Sequence, residues 1–213
     1  MKTYFATLLL LFCFSGNSQW LRTGGPSDIN LIFDLSYHRG YHFTSTFCGM
    51  FVKYPANQNW QRLNFIEFAN RSPVFWGDTI IVYDKRAVFY YKITNTGLTL
   101  SLDSNKSYFN NITALTVRDS LMLVGSANGL FLSTDRGKSF KAYNQGISVS
   151  FRNFLKDLQF FGPYAFAAST NKVFKRNLST GHWQSSSSGL PGNSIKDLQV
   201  INAQLYVVDQ AGI

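Results

Sequence analysis

The chain is built largely of short runs in which apolar and polar residues alternate, with Asn, Gly, Ser and Asp between them. No window shows apolar residues sustained at i, i+3, i+4 and i+7, which is the spacing of an amphipathic helix. The clearest unit predicts strands at 112–117, 121–126 and 129–133, then a turn and a fourth strand within 139–143. Short alternating runs bounded by turn residues are typical of β-strands, so the pattern predicts an all-β fold.

This four-stranded unit recurs along the chain with a period near 40 residues. The first-strand leucines Leu115, Leu158 and Leu198 are 43 and 40 residues apart, and third strands are predicted to begin at Gly49 and Ala87, 38 residues apart. A period of about 40 residues with four strands is the size of one β-propeller blade. We therefore predict a β-propeller of four-stranded blades. The alternative, a sandwich of unrelated hairpins, would not place matched anchors at a fixed spacing.

About four blades and the start of a fifth are expected within this sequence, so the propeller is predicted to be incomplete at the C-terminus. Gly212 aligns with Gly129, the first residue of an earlier third strand. At the same offset, the next turn with a Ser/Thr-x-Asp-x-Gly pattern would place its Asp at about position 218. We expect further units of the same period to follow in a longer parent protein, of which this chain is a fragment.

Residues 1–18 have the pattern of a secretory signal peptide, with a positive charge followed by an apolar stretch. Small residues at Gly16 and Ser18 suit signal peptidase, which would leave Gln19 as the mature N-terminus. The apolar stretch is shorter than the roughly 20 residues that span a bilayer, and an uncleaved anchor is the alternative. Residues 19–213 are then the partial propeller.

Net charge and cysteine content narrow the possible partners. The formal net charge of +9 favours anionic surfaces such as acidic polysaccharide or nucleic acid. However, the basic residues are scattered singly, which indicates a solvated basic exterior and no specific nucleic acid partner. No second apolar run of transmembrane length follows the signal segment, and Cys48 is the only cysteine beyond it, so no intramolecular disulfide is expected. The predicted location is secreted, extracellular or at the cell surface.

One segment, 133–140, fits the pattern Ser-x-Asp-x-Gly-x-[Ser/Thr]-[Trp/Phe], known as the Asp-box. A carboxylate in such a turn accepts backbone N–H bonds, as aspartate does in Asx-turns. Glycine two residues later takes positive φ without a Cβ clash, and the final aromatic residue is expected to turn inward against a neighbouring sheet. We therefore predict a structural hairpin formed by Ser133, Asp135, Gly137, Ser139 and Phe140.

In this segment the chain resembles the BNR and Asp-box repeat proteins, a group that includes sialidases, sortilin-like receptors and photosystem II assembly-factor-like propellers. Degenerate copies occur at 177–183, which keeps the glycine and the aromatic residue, and at 54–60, which has lost both Asp and Gly. The resemblance implies a propeller whose Asp-box is usually distant from any ligand site. Asp135 is accordingly expected to serve the fold rather than catalysis.

The residues that would make this protein a sialidase are missing from the sequence. The resemblance implies, for an enzyme of that class, three arginines around a carboxylate, a Tyr with a Glu partner and an early Arg-Ile-Pro strand. Here Arg-Ile-Pro is absent and Glu67 is the only glutamate. Asp78, Asp119 and Asp209 fall at predicted turns, where aspartate stabilises the local backbone. We therefore predict no catalytic residue in this chain.

The closely spaced histidines His38 and His42 are the one pairing that suggests a metal site. Gly40 between them predicts a hairpin tip, and no third ligand lies nearby in the sequence, so no metal site is predicted. No Gly-rich phosphate loop or Cys-x-x-Cys pair is present, and no cofactor is predicted.

Two functions from different classes remain. The leading hypothesis is a secreted, non-catalytic propeller that acts as a binding or scaffold module for an unknown protein or polysaccharide, with ligand-binding residues that the sequence does not identify. The alternative is a glycan-cleaving propeller, similar to sialidases or other glycosidases, whose catalytic residues lie outside this sequence.

Overall fold

The computed structural model describes residues 31–55, 59–63, 71–85, 87–94, 97–105, 109–148, 150, 155–190 and 194–210. The predicted signal peptide, Glu67 and the degenerate turn at 56–58 lie outside the described residues. The described part of the chain forms antiparallel β-sheets in which each strand pairs with the next along the chain.

Four sheets of four strands and one of two strands follow each other in sequence, which confirms the predicted all-β fold with four-stranded blades. The strands are β1 Ile32–His38, β2 Tyr41–Thr46, β3 Gly49–Lys53 and β4 Trp60–Arg62 in blade 1; β5 Val74–Trp76, β6 Thr79–Tyr83, β7 Ala87–Thr94 and β8 Gly97–Asn105 in blade 2; β9 Ile112–Arg118, β10 Leu121–Ser126, β11 Gly129–Ser133 and β12 Lys141–Ala142 in blade 3; β13 Leu155–Phe161, β14 Tyr164–Ser169, β15 Val173–Asn177 and β16 Gln184–Ser185 in blade 4; β17 Asp197–Ile201 and β18 Gln204–Val208 in sheet 5.

The first strands of consecutive blades contact one another, β5 with β9, β9 with β13 and β13 with β17. Each blade therefore turns its first strand towards a common axis, as in a propeller. The tight hairpins between first and second strands fix the register of these inner strands, so equivalent residues of successive blades lie at equivalent depths.

The core lies between the blades, because each sheet is apolar on both faces. In β6, Ile80 and Val82 pack in the cluster shared with blade 1, whereas Ile81 and Tyr83 pack in the cluster shared with blade 3. Side chains of a strand alternate between the two faces of its sheet. The continuous apolar run at 79–83 therefore reflects a strand that is covered on both sides.

The fourth strands of blades 3 and 4 are only two residues long, whereas the fourth strand of blade 2, β8, has nine residues. The strand expected within 139–143 is reduced to β12, because the amide of Ser139 is bonded within the preceding turn to Asp135. In blade 4 the fourth strand, β16, is likewise only two residues long, and its Ser185 pairs with Phe174.

Two equivalent positions recur at the start of the inner strands. In β1, β9 and β13 the ladder contains a β-bulge whose extra residue is Phe33, Thr113 or Lys156. The equivalent residues in all five sheets lie five and four residues before the last residue of each first strand, where the hairpin begins. We call the first set the bulge row and the residues that follow it the acidic row. The bulge row is Phe33, Arg71, Thr113, Lys156 and Lys196; the acidic row is Asp34, Ser72, Ala114, Asp157 and Asp197.

Candidate functional site

A cavity of about 640 Å³ lies where the inner strands converge, and all ten residues of the bulge row and the acidic row line it. Gln159 and Thr116 add polar groups to its wall, and Tyr83 also lines it. A volume of this size is in the range of small-molecule and cofactor sites. The fold thus brings one short segment of every blade to a single polar cavity on the axis.

The acidic row brings two carboxyl groups into direct contact. The side chains of Asp157 and Asp197 are hydrogen-bonded to each other, which requires a proton between them. The amide of Leu198 donates to Asp157 Oδ2 at 2.9 Å and to Asp197 Oδ1 at 3.0 Å. Burial, and next the hydrogen bond to Asp197, raise the pKa of Asp157 to about 7. This pair therefore holds a proton at a pH where an ordinary carboxyl would be ionised.

A third carboxyl, Asp34, lies in the same row on blade 1. Its Oδ2 atom is buried and has no hydrogen-bond partner among the described residues. The phenol of Tyr83 lies within electrostatic reach of both Arg71 and Asp157, and burial raises its pKa, so it stays a hydroxyl donor. The wall of the cavity therefore combines the Asp34 carboxyl with the Tyr83 hydroxyl and the Asp157–Asp197 pair.

The bulge row is predominantly basic. Arg71 is half-buried, and Lys156 and Lys196 are exposed at equivalent positions of neighbouring blades. Phe33 is the member of the row from blade 1, directly before Asp34, and 42% of its surface is exposed. A β-bulge re-aims the side chain at the extra residue, and such features recur beside functional sites. The cavity thus carries cations and one aromatic ring along one row and acids along the next.

The predicted Asp-box forms a hydrogen-bonded hairpin between β11 and β12. The Ser133 hydroxyl donates to Asp135 Oδ1 at 2.7 Å and accepts from the amide of Gly137 at 2.7 Å. The Ser139 amide donates to Asp135 Oδ1 at 2.9 Å, and its hydroxyl donates to Oδ2. These bonds, first those from Ser139, hold the pKa of Asp135 well below its usual range.

The same hairpin is fitted closely against blade 2. Gly137 has φ of +80°, and a Cβ there would lie 1.9 Å from the hydroxyl of Tyr90. Phe140 packs against the cluster between blades 2 and 3, with its ring 5.1 Å from that of Phe109. None of the five Asp-box residues lines the axial cavity.

The degenerate copy in blade 4 has no aspartate, and its turn begins at Asn177, the last residue of β15. Its Oδ1 accepts from the amides of Ser179 and Thr180 at 2.9 and 3.3 Å, as in an Asx-turn. Trp183, at the position of Phe140, is buried and donates from Nε1 to the carbonyl of Tyr143 at 2.6 Å. The turn therefore keeps its hydrogen bonding without a charge.

The two histidines flank the hairpin between β1 and β2 and point to different neighbours. The ring of His38 stacks on Phe75 at 4.4 Å, and its Nε2 lies 3.0 Å from the carbonyl of Gly77. His42 contacts Tyr37. Within the described ranges, no group of three or more His, Cys, Asp or Glu residues has the arrangement of a metal site.

The cavity residues were not singled out from the sequence. Their signal is a repeated quartet, Lys-Asp-Leu-Gln, at 156–159 and again at 196–199. The leucine of the quartet marks the repeat, whereas its lysine and aspartate line the cavity. The same Lys-Asp pair at the start of two first strands is the sequence feature that indicates a polar site on the propeller axis.

No family model matches the chain, and no curated protein matches it. Solved structures do resemble it. They include an ancestral GH74 enzyme, with 17% identity, a TM-score of 0.65 and coverage of 88% of this chain and 30% of that one. The extracellular domain of the one-component system BT4673 from B. thetaiotaomicron has 19% identity and a TM-score of 0.64, covering 83% and 25%. BamB from Moraxella catarrhalis has 13% identity and a TM-score of 0.58, covering 84% and 54%.

At these identities the likeness shows the fold, which is a β-propeller. The chain spans between a quarter and about half of the length of these three proteins. In the described residues no helix is both long and apolar enough to cross a membrane.

Proposed function

We propose that this protein is a secreted, non-catalytic propeller whose axial cavity binds a carbohydrate or protein partner, and that it is an Asp-box repeat propeller. The observation that carries the proposal is the cavity of about 640 Å³, which every blade lines with its bulge row and acidic row. Ligand sites are concave and contain a few convergent polar groups. The Asp-box hydrogen bonds in blade 3 support the family assignment.

The arrangement of the carboxyls supports binding over catalysis. Glycosidases flank the scissile bond with two carboxyl groups about 5–9.5 Å apart, which leaves space for the sugar or for a water. Asp157 and Asp197 are instead hydrogen-bonded to each other. This pair cannot enclose a glycosidic bond in that geometry.

A glycan-cleaving propeller is the second candidate, and one observation favours it. The raised pKa of Asp157 is what a general acid needs at neutral pH. The GH74 enzyme among the similar structures is also a propeller-like protein that acts as an enzyme. In this candidate a second carboxylate from outside the described residues would complete the pair with Asp157.

The binding proposal is tested by filling the cavity. Ser72 is exposed and lines it, so Ser72→Trp should occupy the cavity without disturbing the core. On arrays of glycans and of extracellular peptides, the wild-type protein should retain a defined set of ligands and Ser72→Trp should lose them. Ser188→Trp, at an exposed position that does not line the cavity, is the matched control and should bind as wild type. Equal binding by both variants would overturn the axial site.

The second candidate is tested on chromogenic glycosides and natural polysaccharides. We expect no release of reducing ends above that of a heat-denatured sample. Hydrolysis that disappears in Asp157→Asn would replace the binding proposal with the enzymatic one.

Export is tested separately by N-terminal sequencing of the protein from its native host or from a secreting host. We expect a mature chain that begins at Gln19 in the culture medium or at the cell surface. An intact Met1 on a protein recovered from the cytoplasm would contradict secretion.

A further inference from the structure

We propose that the axial cavity recognises uronic acid residues of an acidic polysaccharide, through the basic bulge row and the carboxyls of the acidic row. The inference rests on the proposed binding function and adds the chemical class of the ligand. It is carried by the placement of three cations, three carboxyls and one exposed aromatic ring around a single cavity.

The cations supply the contact for a carboxylate. Arg71, Lys156 and Lys196 occupy equivalent positions on three blades and line the same cavity, so the bulge row contributes three positive charges to its wall. A guanidinium matches a carboxylate with two parallel hydrogen bonds, and flexible lysines add charge. Within a concave site such charges attract an anion more strongly than the same charges scattered over a surface.

The acidic row limits which anion fits. Asp34, Asp157 and Asp197 all line the cavity, and each carboxyl group has two oxygens that can accept several hydrogen bonds. Carboxylates accept hydrogen bonds from hydroxyl groups but repel closely spaced phosphates or sulfates. The cavity therefore suits a ligand that has isolated negative charges separated by hydroxyl groups, and disfavours a nucleic acid backbone.

Phe33 completes the match to a sugar. The residue is 42% exposed and lines the cavity on the strand that carries Asp34, and its ring contacts that of Phe47 at a centroid distance of 6.3 Å. An exposed aromatic face offers an apolar surface with polar groups beside it, which suits the C–H face of a pyranose ring. A uronic acid presents its carboxylate, its hydroxyls and this face on one ring.

The test is calorimetric titration with short oligomers of galacturonic, glucuronic and mannuronic acid, each paired with its fully methyl-esterified form. The esterified chain has the same sugars and hydroxyls but no charge. We expect at least one free acid to bind and its ester to bind about tenfold more weakly or not at all.

Paired lysine variants separate the cavity from overall charge. Lys156→Ala with Lys196→Ala should weaken binding of the free acid by about tenfold and leave the ester unaffected. Lys92→Ala with Lys141→Ala removes the same charge from exposed strand positions outside the cavity and should stay within about twofold of wild type. Thermal melting of both double variants confirms that each is folded.

Three results would overturn the inference. They are equal binding of acid and ester, equal weakening in the two lysine double variants, and binding of no uronic acid oligomer at all. If neutral glycans or peptides bind and Ser72→Trp abolishes that binding, the uronic acid assignment fails while the binding function stands. If no glycan or peptide binds in a way that Ser72→Trp abolishes, the binding function fails as well.

Discussion

Two aspartates of this protein have pKa values displaced in opposite directions, and the neighbours of each carboxyl explain the difference. Asp157 is mostly buried and faces a second carboxyl, so its charged form is disfavoured and its pKa rises to about 7. Asp135 accepts hydrogen bonds from Ser133 and Ser139, so its charged form is favoured and its pKa falls. The two groups therefore affect stability in different pH ranges.

Asp157→Asn should remove a pH dependence of stability near neutrality. The folded protein holds a proton on Asp157 up to about pH 7, whereas the unfolded chain releases it near 3.8. The resulting stabilisation is fully present below pH 3.8 and is lost as the pH rises through about 7. The asparagine variant keeps a neutral partner for Asp197, so at pH 8 it should be more stable than wild type by roughly 1–3 kcal/mol.

Urea denaturation between pH 4 and 8 measures this effect, and Asp197→Asn should reduce the slope without abolishing it, because burial still raises the pKa of Asp157. An unchanged slope in both variants would contradict a proton shared between the two carboxyls.

Asp135→Ala should lower the melting temperature at neutral pH without reducing ligand binding, since Asp135 does not line the cavity. The stabilisation that the Asp135 carboxylate gives to the folded state is present at pH values above the usual carboxyl pKa. It is lost as the pH falls through the depressed pKa of the folded state, where the carboxylate becomes protonated. The difference between wild type and variant should therefore shrink in acid.

Asn177→Ala is the control for Asp135→Ala, because Asn177 accepts two backbone N–H bonds in the corresponding turn of blade 4 without carrying a charge. It should also lower the melting temperature, but by an amount that does not change with pH. A pH-independent difference for Asp135→Ala would show that its charge has no part in holding the hairpin.

At the scale of the strand, alternation predicted most elements but not the two-residue length of the fourth strands in blades 3 and 4. The third strand that begins at Gly129 and the second strand at 121–126 match the sequence prediction because both of their faces are covered by neighbouring blades. The outer strands β12 and β16 contain two residues each and are exposed, so hydrophobic burial leaves no pattern in their sequence. Their ends are set by turn hydrogen bonds, which depend on side-chain geometry.

Neighbouring blades also meet through a tight backbone contact at Gly146. The amide of Trp183 donates to the carbonyl of Gln145 at 2.8 Å. Gly146 has φ of +96°, and a Cβ there would lie 2.2 Å from the carbonyl oxygen of Trp183. This contact joins the loop after β12 to the strand edge of blade 4.

Gly146→Ala should therefore destabilise the protein by roughly 3–5 kcal/mol, since it adds a backbone clash to an unfavourable positive φ. Gly189 is the equivalent residue of the next repeat, with φ of +83°, and no described atom lies within 4 Å of its Cβ direction. Gly189→Ala should cost only about 1–2 kcal/mol, the strain of the left-handed backbone. If chemical denaturation gave the two variants the same loss in free energy of unfolding, the backbone around Trp183 would have moved to accommodate the added Cβ at no cost.

At the scale of the whole molecule, the sequence predicted the propeller but not its axial cavity. Periodicity reports which residues are equivalent, and it placed Asp157 and Asp197 at matched positions. That equivalent residues of neighbouring blades touch on the axis follows only from the radial arrangement of the blades. Likewise, the exposure of Asp34 to the same cavity from blade 1 depends on how far the arc of blades turns.

Among the described residues, the outer faces of the first and last sheets carry exposed apolar side chains, whereas the faces between blades are buried. Leu35 in β1 is 65% exposed, whereas the equivalent leucines Leu115, Leu158 and Leu198 are 5%, 2% and 2% exposed. Tyr37 on the same face of β1 is 63% exposed, and Ile201, on the face of β17 opposite to Leu198, is 42% exposed. Adjacent exposed apolar side chains of this kind mark surfaces that associate.

A protein expressed from residues 19–213 should therefore self-associate in a concentration-dependent way, which sedimentation velocity measures directly. Leu35→Lys should reduce this association and change the free energy of unfolding by less than about 0.5 kcal/mol, as expected for an exposed site. Leu158→Lys places the same charge at the equivalent position of a covered face and should cost roughly 4 kcal/mol or more, because the ammonium would be buried without a partner. If Leu35→Lys were as destabilising as Leu158→Lys, the face of blade 1 would have to be covered in solution.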